Sequence, residues 1–509
     1  MAGRKKAPHL FAAIDVGSFE LCMKIFEISS KGLRQIDGIR HRLALGTDSY
    51  TTHKISYEKM EELFRILQEF TQIMKGYRVR EYQAYGTSAF RETENTELLL
   101  DQIRNRSGIR LEILSNSEQR FLDYKAIASR GEQFNHIIEK GTAIVDIGGG
   151  NIQLSLFDKG SLIITQSLKL GVLRLHERMQ NIQPRSSQVE ELLDEMIGGQ
   201  LHIFKKIYMK DREIRNLIIM DDYLSGRFPD AVPQADENRE ASAEDFLAFA
   251  NGLQKEGREE VADRLEMEEE SVELLKISAG IMKRVVEAFE AEHIWVPGAS
   301  LCDGIAYEYA ERQKLKIADR DFEQDIIACA GTISKRYQGS HKRSEAIERI
   351  ALTIFDGMRS AHGMGDRERL LLRLAAILHD CGKFINMTNV GECSHAIIQN
   401  TEIIGLSHTE RTMVADIVKY NHTAFDYLDD IRGESLTVAK LTAILRIANA
   451  LDKSQKQKIT GIEAVLRDDK LQIRVDAGQD MLFEQDRFRV HAAFFEEVYG
   501  IRPVIIRHE

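Results

Sequence analysis

Proline is scarce, with six residues in 509, which argues against long disordered linkers. Five cysteines (Cys22, Cys302, Cys329, Cys381, Cys393) are scattered, odd in number and free of any CxxC pair. A disulfide framework is therefore not expected, and reduced thiols in the cytoplasm fit better. Basic excess is also missing. Lys plus Arg is 69 against 80 for Asp plus Glu, a net charge of −11, which speaks against nucleic-acid binding over the whole surface. No apolar run is long enough to span a bilayer: the strongest, LLLRLAAILHD, is short and broken by Arg373. The start, MAGRKKAPHLFAAIDVG, has a basic tip but no apolar core of a signal peptide. What is present is ordinary for a globular protein, 43% apolar and 29% charged residues, at a length that suggests about three domains. The expectation is a cytoplasmic, multidomain enzyme with no nucleic-acid or membrane partner.

Residues 10–28 read as two strands, FAAID and LCMKIFEI, joined by DVGSFE. Met60, Leu63, Phe64, Leu67 and Phe70 at helical spacing predict a helix over about 56–75. EYQAYGTSAF reads as a strand, 95–107 as a helix, 110–114 as a strand, and a further helix begins near Ser117. A second series opens near 140 with GTAIVDIGGG. NIQLSLFD sets Ile152, Leu154 and Leu156 against Gln153 and Ser155, as a half-buried strand would. SLIITQSLKLG is a third strand, Ser187-x-x-Glu190 is a capping box after Pro184, and NLIIM a buried strand. From 256 to 273, nine carboxylates against two arginines read as a solvated helical face. Residues 315–460 are nearly all helical, and the last fifty return to short strands (LQIRVD, RPVIIR) around one helix.

The chain repeats itself weakly. Ile14-Asp15-Val16-Gly17-Ser18 and Val145-Asp146-Ile147-Gly148-Gly149, 131 residues apart, each end a strand and lead into another. Glycines there leave the backbone bare for a tight turn around an anion, and an adjacent Asp suits Mg2+ or a metal-bound water. Either loop alone is most simply a turn. The duplication suggests two related α/β halves facing each other.

This arrangement resembles the superfamily of acetate kinase, sugar kinases and actin, in which two such loops clasp phosphate in an interdomain cleft. Within it, GTSAFRETEN (86–95), LSNSEQRFL (114–122) and SLKLGVLRL (167–175) resemble signatures of the exopolyphosphatase/guanosine pentaphosphate phosphohydrolase family. The resemblance implies two actin-like (ribonuclease H-like) α/β domains flanking a cleft, 8–128 and 129–312. An α-helical HD-like domain, 313–460, and a small α+β segment, 461–509, would follow. It implies Glu118 as the catalytic glutamate acting on water, and Asp15 and Asp146 as metal-linked aspartates with Mg2+ as cofactor. Gly17, Ser18, Ser88, Arg91, Gly148, Gly149, Gly150 and Asn151 would contact the substrate. Inorganic polyphosphate or guanosine pentaphosphate is the implied substrate and a homodimer the implied assembly. The alternative for Glu118 is a helix cap, since Ser115-x-x-Glu118 is a capping box.

The chain also departs from the family. Phe19-Glu20 replaces the end of DxGSNS, Gln153 the carboxylate of GGGSTEL, Gln119 the second glutamate of EEA, and Met220-Asp221-Asp222-Tyr223 the GGxA turn. These changes leave open a second function, a polyphosphate or alarmone sensor with weakened catalysis. In the helical part, His379-Asp380 ends an apolar helix and forms a second candidate metal pair, with His341 or His362 upstream and Asn449 or Asp452 late in the domain. Lys169, Arg174, Lys205, Lys206, Arg373 and Lys383 are candidates for a polyanion path.

Overall fold

The computed structural model describes residues 9–508 except 30–31, 183–187, 211, 225–227, 229–231, 233–234, 237, 316–319, 428–433 and 468. Ser187 of the expected capping box lies outside the described residues. The chain divides into two compact units, Met1–Asp321 and Phe322–Glu509.

The first unit is built twice from one plan. Strands β1 (His9–Val16), β2 (Glu20–Ser29), β3 (Gly32–Arg42), β4 (Glu81–Gly86) and β5 (Leu111–Ile113) form a sheet of order β3-β2-β1-β4-β5. Strands β6 (Thr142–Ile147), β7 (Ile152–Asp158), β8 (Ser161–Leu168), β9 (Asn216–Asp221), β10 (Glu240–Ser242) and β11 (His293–Trp295) form a sheet of order β10-β11-β9-β6-β7-β8. Apart from edge strand β10, the two orders match. In each, a central strand turns back into an antiparallel hairpin and pairs on its other side with a parallel strand. The parallel step needs a covered crossover. In the first sheet that cover includes the helix Tyr57–Tyr77, which buries Leu63, Phe64, Leu67 and Phe70. The repeat read from two DxG loops is thus a repeat of whole topology.

Three expectations change. The strand expected over EYQAYGTSAF stops at Gly86 because its neighbours end there: Val16 and Ile113 are the last partners. Ser88–Arg91 then coils into a helical turn. Strand β7 is buried on both faces rather than half-buried, with Gln153 and Ser155 covered as fully as Leu154 and Leu156. Its polar face meets a buried arginine, described below. Finally, the helix Leu301–Arg312, expected to close the second domain, packs on the first sheet. Leu301, Ile305 and Ala306 share a core with Phe11, Ala13 and Cys22, Tyr309 stacks on Phe11 with centroids 4.0 Å apart, and Lys24 donates to Asp303 at 2.7 Å. Gly304 lets this helix also approach the helix Asn116–Ala128 closely, since a Cβ there would run into the Leu122 carbonyl.

The second unit is helical from Phe322 and ends in a small sheet. Strands β12 (Ile459–Arg467), β13 (Lys470–Ala477) and β14 (Arg502–His508) lie in that order, antiparallel then parallel. The helix Leu482–Tyr499 makes the parallel crossover. Leu471, Ile473 and Val475 are buried at the two-residue period of a strand with one covered face. Among the described residues, no helix is long and apolar enough to cross a membrane.

Candidate active site

Asp15 and Asp146 hold the same place in the two sheets, next to last on the central strands β1 and β6. Ligand clefts in α/β sheets open at the carboxyl ends of such strands. Each loop closes tightly, with Gly17 N–H donating to the Glu20 carbonyl at 3.0 Å and Gly148 N–H to the Asn151 carbonyl at 3.1 Å. The loops meet face to face: a Cβ on Gly149 would lie 2.5 Å from Ser18 Oγ. Asp15, Gly17, Ser18, Ser88, Arg91, Asp146, Gly148, Gly149 and Asn151 line one cleft between the sheets. Gly150 does not line it. It lies against the hydroxyl end of Tyr50, and its carbonyl accepts from Arg174 Nε at 3.1 Å.

Glu118 is also absent from that lining. Its carboxylate accepts the Ser115 N–H at 2.9 Å while its own N–H donates to Ser115 Oγ at 3.2 Å, a complete capping box on the helix Asn116–Ala128. One oxygen of the carboxylate expected to act on water, Oε2, is therefore engaged at the helix start. The residues of this helix that do line the cleft are Gln119 and Asp123. Gln119 Oε1 accepts two bonds from Arg91, each at 3.2 Å, and Arg91 also donates to the Leu114 carbonyl at 2.7 Å.

Gln153 stands opposite Asp146 across the β6–β7 hairpin. Its Oε1 accepts from Arg120 Nε at 2.8 Å and its Nε2 donates to Asp146 Oδ2 at 2.9 Å. An arginine can only donate, which fixes the amide's orientation. The amide oxygen of this residue, which replaces a family carboxylate, therefore faces Arg120. Arg120 is buried and also bonds Thr165, which pairs with Ser155 at 3.0 Å. This is the polar network that fills the inner face of β7.

The cleft is rich in acid. Glu20, Asp123, Asp221 and Asp222 join Asp15 and Asp146 in its lining, with Arg40, Arg91 and Arg239 as the basic lining residues. Burial pushes the Asp146 carboxyl up to about 7, against the pull of Arg120. Burial also lifts Asp221 to about 6, although its oxygens accept from Tyr223 N–H, Leu224 N–H and Ser278 Oγ. Asp15 is raised by burial and then by Cys22, Glu20 and Asp146; Asp123 by burial and then by Asp146 and Asp15. Asp15 Oδ1 and Asp123 Oδ2 are buried without a hydrogen-bond partner. Sequence reasoning missed Arg120 and Asp123, because nothing in SEQRFLDYK distinguishes a buried charged face from a solvated one.

In the second unit, His379 and Asp380 lie together but not as an open metal pair. Asp380 Oδ2 accepts from Arg343 Nη1 and Lys383 Nζ, each at 2.5 Å, and lies 3.1 Å from His379 Nε2. Arg343 also donates to Asn449 at 2.7 Å and approaches Asp452 at 3.9 Å. A guanidinium thus occupies the place among Asp380, Asn449 and Asp452 where a cation was expected, and, against the effect of burial, His379, this guanidinium and Lys383 hold Asp380 well below the usual carboxylate range. Neither upstream histidine joins them. His341 pairs with Glu345, and His362 bonds the Phe355 carbonyl. Of the candidate polyanion-path residues, Arg174, Lys205, Arg373 and Lys383 are held by Glu92, Glu290, Glu348 and Asp380.

Residues 24–313 match the model of the Ppx/GppA phosphatase family, and 328–489 match Ppx/GppA phosphatase, domain III. The chain is 23% identical over 490 residues to a guanosine-5'-triphosphate,3'-diphosphate pyrophosphatase of Vibrio vulnificus, covering 92% of each chain. It is similar in fold to an exopolyphosphatase of Cytophaga hutchinsonii, with TM-score 0.51, 20% identity, and coverage of 60% of this chain and 100% of the other. A Ppx/GppA family member of Aquifex aeolicus gives TM-score 0.50 and 18% identity, covering 60% of this chain and 99% of the other. With both its duplicated sheets and its sequence matching along most of its length, the chain belongs to the Ppx/GppA phosphatase family and stands among its hydrolases.

Proposed function

We propose that this protein releases the terminal phosphate of guanosine 5'-triphosphate,3'-diphosphate, or of inorganic polyphosphate, with Mg2+ as cofactor. The observation that carries this reading is the meeting of two glycine loops, each ending a central strand with an aspartate, over a cleft that also holds Arg91 and Arg40. Bare backbone at Gly17, Gly148 and Gly149, with the short polar side chains of Ser18, Ser88 and Asn151, suits a compact anion. The arginines suit its oxygens.

The lining also fits a hard divalent cation. Its acidic oxygens repel one another, and the orphaned Asp15 Oδ1 lacks a protein donor. Among the described residues no three ligating side chains form a ready cage, and Mg2+ commonly binds through one or two carboxylates and several waters. Asp15 and Asp146 would hold it, and it would supply charge neutralisation for the phosphate. Gln119 and Gln153, amides where carboxylates are expected, favour a second reading in which the same cleft binds these polyanions without turnover.

The test is phosphate release from each substrate with Mg2+, comparing the wild-type protein with Asp15→Asn and Asp146→Asn. Release that both substitutions abolish supports the hydrolase. Binding without release by the wild type supports the sensor.

A further inference from the structure

Hydrolysis at phosphorus needs a group to take a proton from the attacking water. The helix Asn116–Ala128 delivers two side chains to the cleft, and only one can do so. Gln119 is an amide held by Arg91. Four residues on, and so on the same helical face, Asp123 lines the same cleft, is 4% exposed, and keeps Oδ2 free of any hydrogen bond. The other acids of the cleft are otherwise placed. Asp221 accepts three bonds from its own turn and from Ser278. Glu20 pairs with Arg40 at 3.2 Å. Asp222 is exposed to water. Asp15 and Asp146 stand at the ends of the central strands, where they would hold the cation.

We propose that Asp123 is the catalytic base of this protein, standing one helical turn beyond Gln119. The inference rests on the hydrolase reading above. The oxygen of water bonds to the terminal phosphorus as Asp123 Oδ2 takes one of its protons. The bridging P–O bond breaks, its electron pair leaving on the shortened phosphate chain. Asp123 then gives the proton to solvent, and inorganic phosphate departs with the other hydrogen of water.

The experiment measures phosphate release from guanosine 5'-triphosphate,3'-diphosphate and from inorganic polyphosphate, each with Mg2+. Asp123→Asn should lower kcat by roughly 10²-fold or more, the usual worth of a positioned base, and leave KM within about threefold. Gln119→Glu added to Asp123→Asn should restore at least about tenfold, because it returns a carboxylate to the same face of the helix. Asp123→Ala should recover turnover in proportion to added formate, a response that a merely structural residue would not give. An active wild type with kcat unchanged in Asp123→Asn would overturn the assignment and leave the hydrolase reading standing. So would a slow Asp123→Ala that neither formate nor the second-site glutamate improves. A wild type inactive on both substrates would overturn both.

Discussion

Arg120, Gln153 and Asp146 form a chain in which each atom has one possible role. The guanidinium donates to Oε1, which leaves Nε2 to donate to Asp146. Replacing Gln153 by Glu would put a negative charge between them, drawn to Arg120 and repelled by Asp146. That adds a charged oxygen beside Asp146 and removes the N–H that competes for it. Gln153→Glu should therefore lower the Mg2+ concentration for half-maximal phosphate release, since hard cations favour charged oxygens. A Mg2+ titration identical to that of the wild type would count against a cation at Asp146. Glu118 calls for the opposite expectation. Glutamine retains the acceptor of a capping box, so Glu118→Gln should keep kcat within about threefold and cost under about 1 kcal/mol in a urea melt. A hundredfold loss of kcat would instead place its carboxylate in the chemistry.

Elements meet most tightly where side chains are smallest. Gly149 lies against Ser18 Oγ and Leu173, which a Cβ there would meet at 2.5 and 2.9 Å, so it sets how closely the two loops approach. Gly149→Ala should force them apart, with a cost of about 1–3 kcal/mol by thermal melting, as overpacking usually brings, and a clear loss of phosphate release. Unchanged activity would show that the separation of the loops is not critical. In the second unit, Arg343 joins the helix His341–Gly357 to the end of the helix Asp366–Leu378 through Asp380, and to the helix Glu434–Leu451 through Asn449. Arg343 and Asp380 are both largely buried. Removing one member of a buried pair leaves the other charge uncompensated, so Arg343→Ala should destabilise this unit by about 3 kcal/mol or more in urea unfolding. A change below about 1 kcal/mol would mean that Lys383 and His379 suffice for Asp380.

Across the whole molecule, the two units should answer pH in opposite ways. In the first, Asp146 at about 7 and Asp221 at about 6 stand above the ordinary 3.8. The folded unit then binds more protons than the unfolded chain between about pH 4 and 7, and it loses stability as pH rises through that window. In the second, burial holds His422 and His491 at about 4, below the ordinary 6.5. There the unfolded chain binds more protons, and stability falls as pH drops from about 6.5 towards 4. Calorimetry in a chelator should show the first-unit transition moving up and the second-unit transition moving down from pH 7 to 5. Mg2+ at pH 7 should raise the first alone. Parallel shifts of both transitions would contradict these shifted carboxyls and histidines.

What the sequence determined by itself were the features written in neighbouring residues. Asp15-Val16-Gly17 and Asp146-Ile147-Gly148 marked the strand ends, the spacing of Leu63, Phe64, Leu67 and Phe70 marked one helix, and Ser115 with Glu118 marked the cap of another. Each depends on contacts within a few residues, so local pattern suffices to read it. The tertiary structure decided the rest, because the deciding partners are distant in the chain. Leu301–Arg312 joins the first sheet through contacts with residues nearly 300 positions earlier, such as Lys24 with Asp303. Arg120 is a buried charge only because Gln153 and Thr165 come to meet it. Arg343 stands where a cation was expected because three helices converge on it. Which residue of SEQRFLDYK reaches the cleft depends on the rotation of one helix against two sheets. Five residues, about 1.4 helical turns, separate the capping Glu118 from the buried Asp123.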